Sequence, residues 1–198
     1  MRNFPEILKN SIIDEEFYFP LVEGDQNTLR LSEAKEGLSV EIKINNSDNI
    51  YCFSFDKDKV SQKDTVFPFF NSGTRGLCSK NDYILVFQNG YDVIVFLIEL
   101  KSTNTGSYLK QLRSGKLFFQ FIIDRVKLAS EGSPEFDKTE FDKLKICYKG
   151  ILCHIKRTAD KDTSRHKPKD IKVEFKSTPY LDVCRLNYDK VYYLSQLL

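Results

Sequence analysis

Three residues, Asp82, Glu99 and Lys101, carry side chains able to bind a cation or move a proton, set where a hairpin would bring them together. Asp82 precedes one apolar run, Tyr83–Phe87, while Glu99 and Lys101 close a second, Val93–Ile98. Asn89-Gly90 lies in the break between them, and Asn-Gly between β-branched and aromatic runs is a strong hairpin signal. Residues two apart on a strand share a face, so Glu99 and Lys101 project together and Leu100 points the other way. If Asn89–Asp92 is the loop, Gln88 faces Val93 and Asp82 lies opposite Glu99, with Cβ atoms about 5 Å apart. If the loop is Asn89-Gly90 alone, Asp82 faces Leu97, one diagonal step from Glu99. Both registers put the carboxylates on one face; a three-residue loop would not, unless a bulge restored the parity. Like charges that close repel, and a hard divalent cation with oxygen ligands resolves the conflict. An ordinary charged strand end, with Asp82 a turn or strand-start residue, would use the same residue types.

An Asp at one strand, then Glu-X-Lys at the end of the next, resembles the PD-(D/E)XK nuclease superfamily, the restriction-endonuclease-like fold. The likeness spans roughly Arg75 to Lys127 and includes the helix after the Lys, with Gln111 in Tyr-Leu-Lys-Gln-Leu. Asn81 stands where the family name implies Pro. The resemblance implies an α/β (α+β) fold with a central mixed β-sheet flanked by helices, here with extra β-hairpins. It also implies a divalent-metal-dependent nuclease, a phosphodiester hydrolase cutting endo- or exonucleolytically. Asp82, Glu99 and the Leu100 carbonyl would hold Mg²⁺ or Mn²⁺. Lys101 would orient or deprotonate the attacking water or neutralise the phosphate, and Gln111 would steady the Lys or the scissile phosphate. The implied substrate is nucleic acid, DNA favoured over RNA, and the implied setting is a restriction, phage-defence or repair system with a protein partner or a second copy. The alternatives are a nuclease-fold subunit that no longer cuts and serves binding or assembly, and an RNA-cleaving enzyme. Many relatives carry a further Glu on a helix before the sheet, and Glu6, Glu15 and Glu16 are all available.

Around this trio the rest of the chain divides into helices and strands. Phe4 to Phe19 has the spacing of an amphipathic helix ended by Pro20. Leu38–Ile44 alternates as a half-buried strand and Ile50–Phe55 as its hairpin partner, with Glu41 facing solvent. Tyr108–Leu128 predicts a long helix with an apolar face of Leu109, Leu112, Phe119, Ile122, Ile123 and Val126. Leu144–Ile155 is the next strand, so strand, strand, helix, strand form the core. His154, inside that run, reads as a core or edge histidine. Ile171–Phe175 and Tyr180–Leu186 read as closing strands, and Val191–Leu198 as an apolar tail that docks on the body or on a partner.

With 198 residues the chain reads as one domain, with a core at about 66–156, an N-terminal helix and hairpin at 1–65 and a C-terminal extension at 157–198. Net charge is only +2, so any pull on a polyanion must be local. Two local sources present themselves. Lys110, Arg113 and Lys116 decorate the long helix near the motif, and Lys161, Arg165, Lys167 and Lys169 lie in a basic, loop-like stretch; either set is also what a merely solvated surface looks like. No apolar run approaches the roughly eighteen residues of a membrane span, and the start lacks an apolar leader. Five scattered cysteines without a Cys-x-x-Cys argue against a zinc site and fit a reducing, cytoplasmic setting.

Overall fold

The structure, a computed structural model, describes residues 3–22, 28–33, 38–44, 49–55, 70–71, 73–102, 105–131, 138–155 and 171–198. It is a mixed α+β fold built on two sheets. A six-stranded sheet runs in the order β3 (Ile50–Phe53), β4 (Tyr83–Asn89), β5 (Asp92–Lys101), β6 (Lys145–His154), β8 (Asp182–Asn187), β7 (Lys176–Ser177). Its middle strands β5, β6 and β8 are parallel, and β3, β4 and β7 join antiparallel. A three-stranded sheet pairs β1 (Thr28–Glu33) with β2 (Leu38–Lys43) antiparallel and β2 with β9 (Val191–Tyr193) parallel.

The layers follow from the two faces of the large sheet. On one face, Ile84, Val86, Val93, Val95, Leu97 and Val183 pack against the long helix α2 (Tyr108–Ser130), through its Leu112, Phe119, Ile122, Ile123 and Val126. On the other face, Leu85, Phe96, Ile98, Ile151, Cys153 and Cys184 pack against Leu29, Leu31, Val40 and Ile42 of the small sheet. Of the expected mixed sheet flanked by helices, the mixed sheet and the helix layer of one face are present, while among the described residues the other face is covered by the small sheet. The central strands are buried on both faces, which is why their sequences are almost unbroken apolar runs. α2 is the crossover between the parallel strands β5 and β6, and burying each large side chain of its apolar face is worth about 1.5–3 kcal/mol.

Three expected elements differ. The single helix over Phe4–Phe19 is instead a short α1 (Phe4–Ile7), a π turn at Leu8–Ile12 and a 3₁₀ turn at Glu15–Phe17. Pro5 sits in the first turn as anticipated, but Ile13 turns extended and Asp14 caps the next turn by accepting from the Glu16 N–H at 3.0 Å. The hairpin of Leu38–Ile44 with Ile50–Phe55 does not form. β2 takes β1 as its neighbour, with the Arg30 Nε donating to Glu41 Oε1 at 2.9 Å on the outer face, and β3 crosses to the edge of the large sheet. Ile171–Phe175 is not a strand; the apolar tail does dock on the body, with Val191–Tyr193 as strand β9 of the small sheet and Leu194–Gln196 as a 3₁₀ turn.

Candidate functional site

The hairpin of β4 and β5 sets the geometry. Asn89 pairs with Asp92, leaving Gly90-Tyr91 as the two-residue turn, and Gly90 takes the positive φ of 61° at its first position. Tyr83 pairs with Ile98, so one residue further on Asp82 faces Glu99, the closer of the two expected registers. Asp82 lies just outside the ladder. Its side chain continues the pairing where the main chain stops: the Leu100 N–H donates to Asp82 Oδ2 at 2.6 Å. Its carbonyl accepts from Ser54 Oγ at 2.6 Å, which ties the turn to the end of β3.

Glu99 projects from β5 on the α2 side, like Val95 and Leu97, and is fully buried. Lys101 Nζ lies 2.6 Å from Glu99 Oε1, and Oε2 is buried with no hydrogen-bond partner. Burial pushes the Glu99 carboxyl up to about 8, and the nearby Asp82 carboxylate adds to the rise. The Lys101 ammonium and the Asp82 main chain pull in the opposite direction but do not offset it. A half-satisfied buried carboxylate facing a second carboxylate is costly, and cation binding would relieve both problems.

The residues present fit such an ion. Asp82 and Glu99 offer carboxylate oxygens, one of them an orphan. The Leu100 N–H points to the β4 side, so its carbonyl is directed to that side too, beyond the last ladder pair. Among the described residues no group of three or more His, Cys, Asp or Glu side chains gathers. Two carboxylates completed by water and substrate oxygens suit Mg²⁺, which seldom takes an all-protein cage.

α2 reaches the chain entering β4 through Gln111, Ser114, whose hydroxyl donates to the Ser79 carbonyl, and Gly115. Gln111 Nε2 donates to the Lys80 carbonyl at 3.5 Å, and its Oε1 accepts from Ser107 Oγ at 3.0 Å, so its amide grips the chain entering β4. Asn81, at the position where the motif name implies Pro, is buried. Its Nδ2 donates to the Tyr83 carbonyl at 2.5 Å and reaches the Ile98 carbonyl at 3.4 Å, linking β4 to β5 beside Asp82. A Cβ at Gly115 of α2 would land on the Asn81 Oδ1. Asn81 and Gly115 were invisible as a pair in the sequence, because their contact depends on how the crossover helix lies on the hairpin.

The other expected site residues are placed as follows. Lys110 is exposed and lies over Gly76, whose φ is 79°. Arg113 stacks on the Tyr180 ring at 4.1 Å, and Lys116 donates to the Tyr180 carbonyl at 3.1 Å while lying over the Tyr148 ring at 5.3 Å. Those last two thus brace α2 against the approach to β8. Glu6 is exposed on α1, beside the hairpin turn where the Phe4 N–H donates to Gln88 Oε1, at the far end of β4 from Asp82. Glu15 and Glu16 are exposed on the 3₁₀ turn beyond the β3 edge. His154 ends β6 beside Lys101, half-buried, with Nδ1 3.1 Å from the Ile155 carbonyl. Lys161, Arg165, Lys167 and Lys169 lie outside the described residues.

Comparison of the chain with protein-family models, with curated proteins and with solved structures finds no match. No described helix is long and apolar enough to cross a membrane.

Proposed function

We propose that the protein is a divalent-metal-dependent nuclease of the PD-(D/E)XK type, hydrolysing phosphodiester bonds of nucleic acid, DNA before RNA. The observation that carries this reading is the fully buried Glu99 with an unpartnered oxygen, facing Asp82 and flanked by Lys101 on one strand end.

A bound Mg²⁺ would supply a Lewis acid for the phosphoryl oxygens and a water of lowered pKa. The chain's own groups divide the remaining work. Asp82 and Glu99 hold the ion, with the Leu100 carbonyl beside them. Asp82 is held by the Leu100 N–H and, through its carbonyl, by Ser54, so little reorganisation is left for the reacting state. Lys101 is 23 % exposed at its side chain against 0 % for Glu99, so its ammonium is the group of the pair that meets the substrate. There it neutralises the charge growing on the phosphate or takes part in moving the proton of the attacking water. Gln111 acts one step back, by fixing Lys80 and hence the entry to Asp82.

Calorimetric titration with Mn²⁺ tests the metal assignment. Asp82→Ala and Glu99→Ala are expected to abolish binding while the fold survives; unchanged binding in both variants would refute the site.

A second reading, a non-cutting subunit of the same fold, is favoured by the Lys101–Glu99 pair, because an ammonium already neutralises part of the buried charge. It predicts a protein that binds nucleic acid yet shows no metal-dependent turnover.

A further inference from the structure

We propose that Arg185, steadied by Tyr108, forms a phosphate subsite beside the Asp82–Glu99–Lys101 site and holds a phosphate neighbouring the one that is cleaved. The inference rests on the nuclease reading and adds to it a substrate contact and a direction for the bound strand.

Register carries the argument. Glu99 pairs with Leu152 on β6, and Leu152 with Arg185 on β8; in the next row Lys101 pairs with His154, and His154 with Asn187. Leu181 and Val183 pack in the core beneath α2, whereas Cys184 and Leu186 pack toward the small sheet. Alternation therefore puts Arg185 on the same face as Glu99. Two inter-strand spacings separate them, roughly 10 Å. Both stand near the carboxyl ends of three parallel strands, the edge at which open α/β sheets place their ligands.

Arg185 is exposed, and its guanidinium lies 5.9 Å from the ring centroid of Tyr108, the first residue of α2. That contact turns the side chain toward the helix start that follows Lys101. Three other cations on this body are committed elsewhere: Arg113 and Lys116 to Tyr180, and Lys149 to the Leu197 and Leu198 carbonyls. Among the described residues no carboxylate pairs with Arg185. Leu152, His154 and Asn187, its neighbours on the rim, carry no negative charge. The orphan Glu99 oxygen would help to hold the ion on one side, and Arg185 offers a planar fork for phosphate oxygens on the other. A strand crossing from β5 toward β8 meets both.

The test uses the full chain without metal, a short oligothymidylate as probe, and anisotropy titrations over a series of salt concentrations. Arg185→Ala is expected to weaken binding several-fold and to make the log–log salt slope shallower by roughly 0.7, while Arg185→Lys keeps the slope. In Mg²⁺, Arg185→Ala should raise KM with little change in kcat, and its Mn²⁺ titration should match the parent's. An unchanged affinity and slope, or a parent protein with no salt-dependent binding, overturns the subsite. Cleavage that ignores Arg185 overturns the subsite and leaves the nuclease reading standing. Arg185-dependent binding without turnover in any metal supports the subsite and sinks the nuclease reading.

Discussion

At the scale of single residues, the buried Glu99 makes the stability of the metal-free protein depend on pH. Its carboxyl is raised from the ordinary value of 4.5 to about 8, so between those values the folded state holds a proton that the unfolded state has released. Stability from this group is fully present below about pH 4.5 and is lost as pH rises through about 8. Glu99→Gln should therefore melt higher than the parent at pH 8 in chelator, and about equally at pH 4; thermal unfolding at both pH values checks this. Mn²⁺ should bind more tightly as pH rises across the same window, since a ligand oxygen must shed its proton. Lys101 predicts a different pattern. Lys101→Ala should keep Mn²⁺ binding, and Lys101→Arg should not restore turnover, because a guanidinium stays protonated and projects a wider head. Calorimetry and cleavage rates on the same preparations separate the two residues.

At the scale of elements, the hairpin is held in register by devices outside its own ladder: Ser54 on the Asp82 carbonyl, Asn81 across to Ile98, and Gly115 giving Asn81 its space. Gly115→Ala should cost roughly 1–3 kcal/mol by forcing Asn81 aside, and should weaken Mn²⁺ binding although residue 115 touches no ligand. Urea unfolding with and without Mn²⁺ tests it; a variant with parental stability and metal affinity would show that the contact yields easily. Phe119→Ala should cost about 3–5 kcal/mol, since its ring meets those of Phe4, Phe53 and Tyr148. The hairpin, α2 and β6 were legible in the sequence because each is a long periodic or continuous apolar run bounded by turn residues. β1 was not: the only apolar side chains of Thr28–Glu33 are Leu29 and Leu31, set between polar neighbours, and its strand character comes from pairing with β2. The choice of β3's partner was equally hidden, because an apolar run that suits one sheet edge suits another. Asp82, Glu99 and Lys101 could be read from spacing along one hairpin. Arg185 could not, since it joins them only through β6, and its one signal was a cation alternating with Cys184 and Leu186.

At the scale of the whole molecule, β5, β6 and β8 end together at one edge of the large sheet, and the proposed site lies there. Net charge of +2 gives no general attraction for nucleic acid, so the proposed binding rests on local cations. Replacing Lys161, Arg165, Lys167 and Lys169 with Ser should lower affinity about equally for all sequences and shallow the salt slope, each lost phosphate contact removing roughly 0.7–0.9. Turnover of bound substrate should persist. An unaltered slope would leave those four as solvated surface and move attention to Lys110 and the Arg185 rim. The most direct test of the central claim is a cleavage assay on single- and double-stranded DNA and RNA, run in Mg²⁺ and in chelator, with the parent beside Lys101→Ala. The nuclease reading predicts turnover that needs the metal and falls by several orders of magnitude in a Lys101→Ala protein that still binds Mn²⁺. Equal cutting by both proteins, or none by the parent on any substrate, would contradict it.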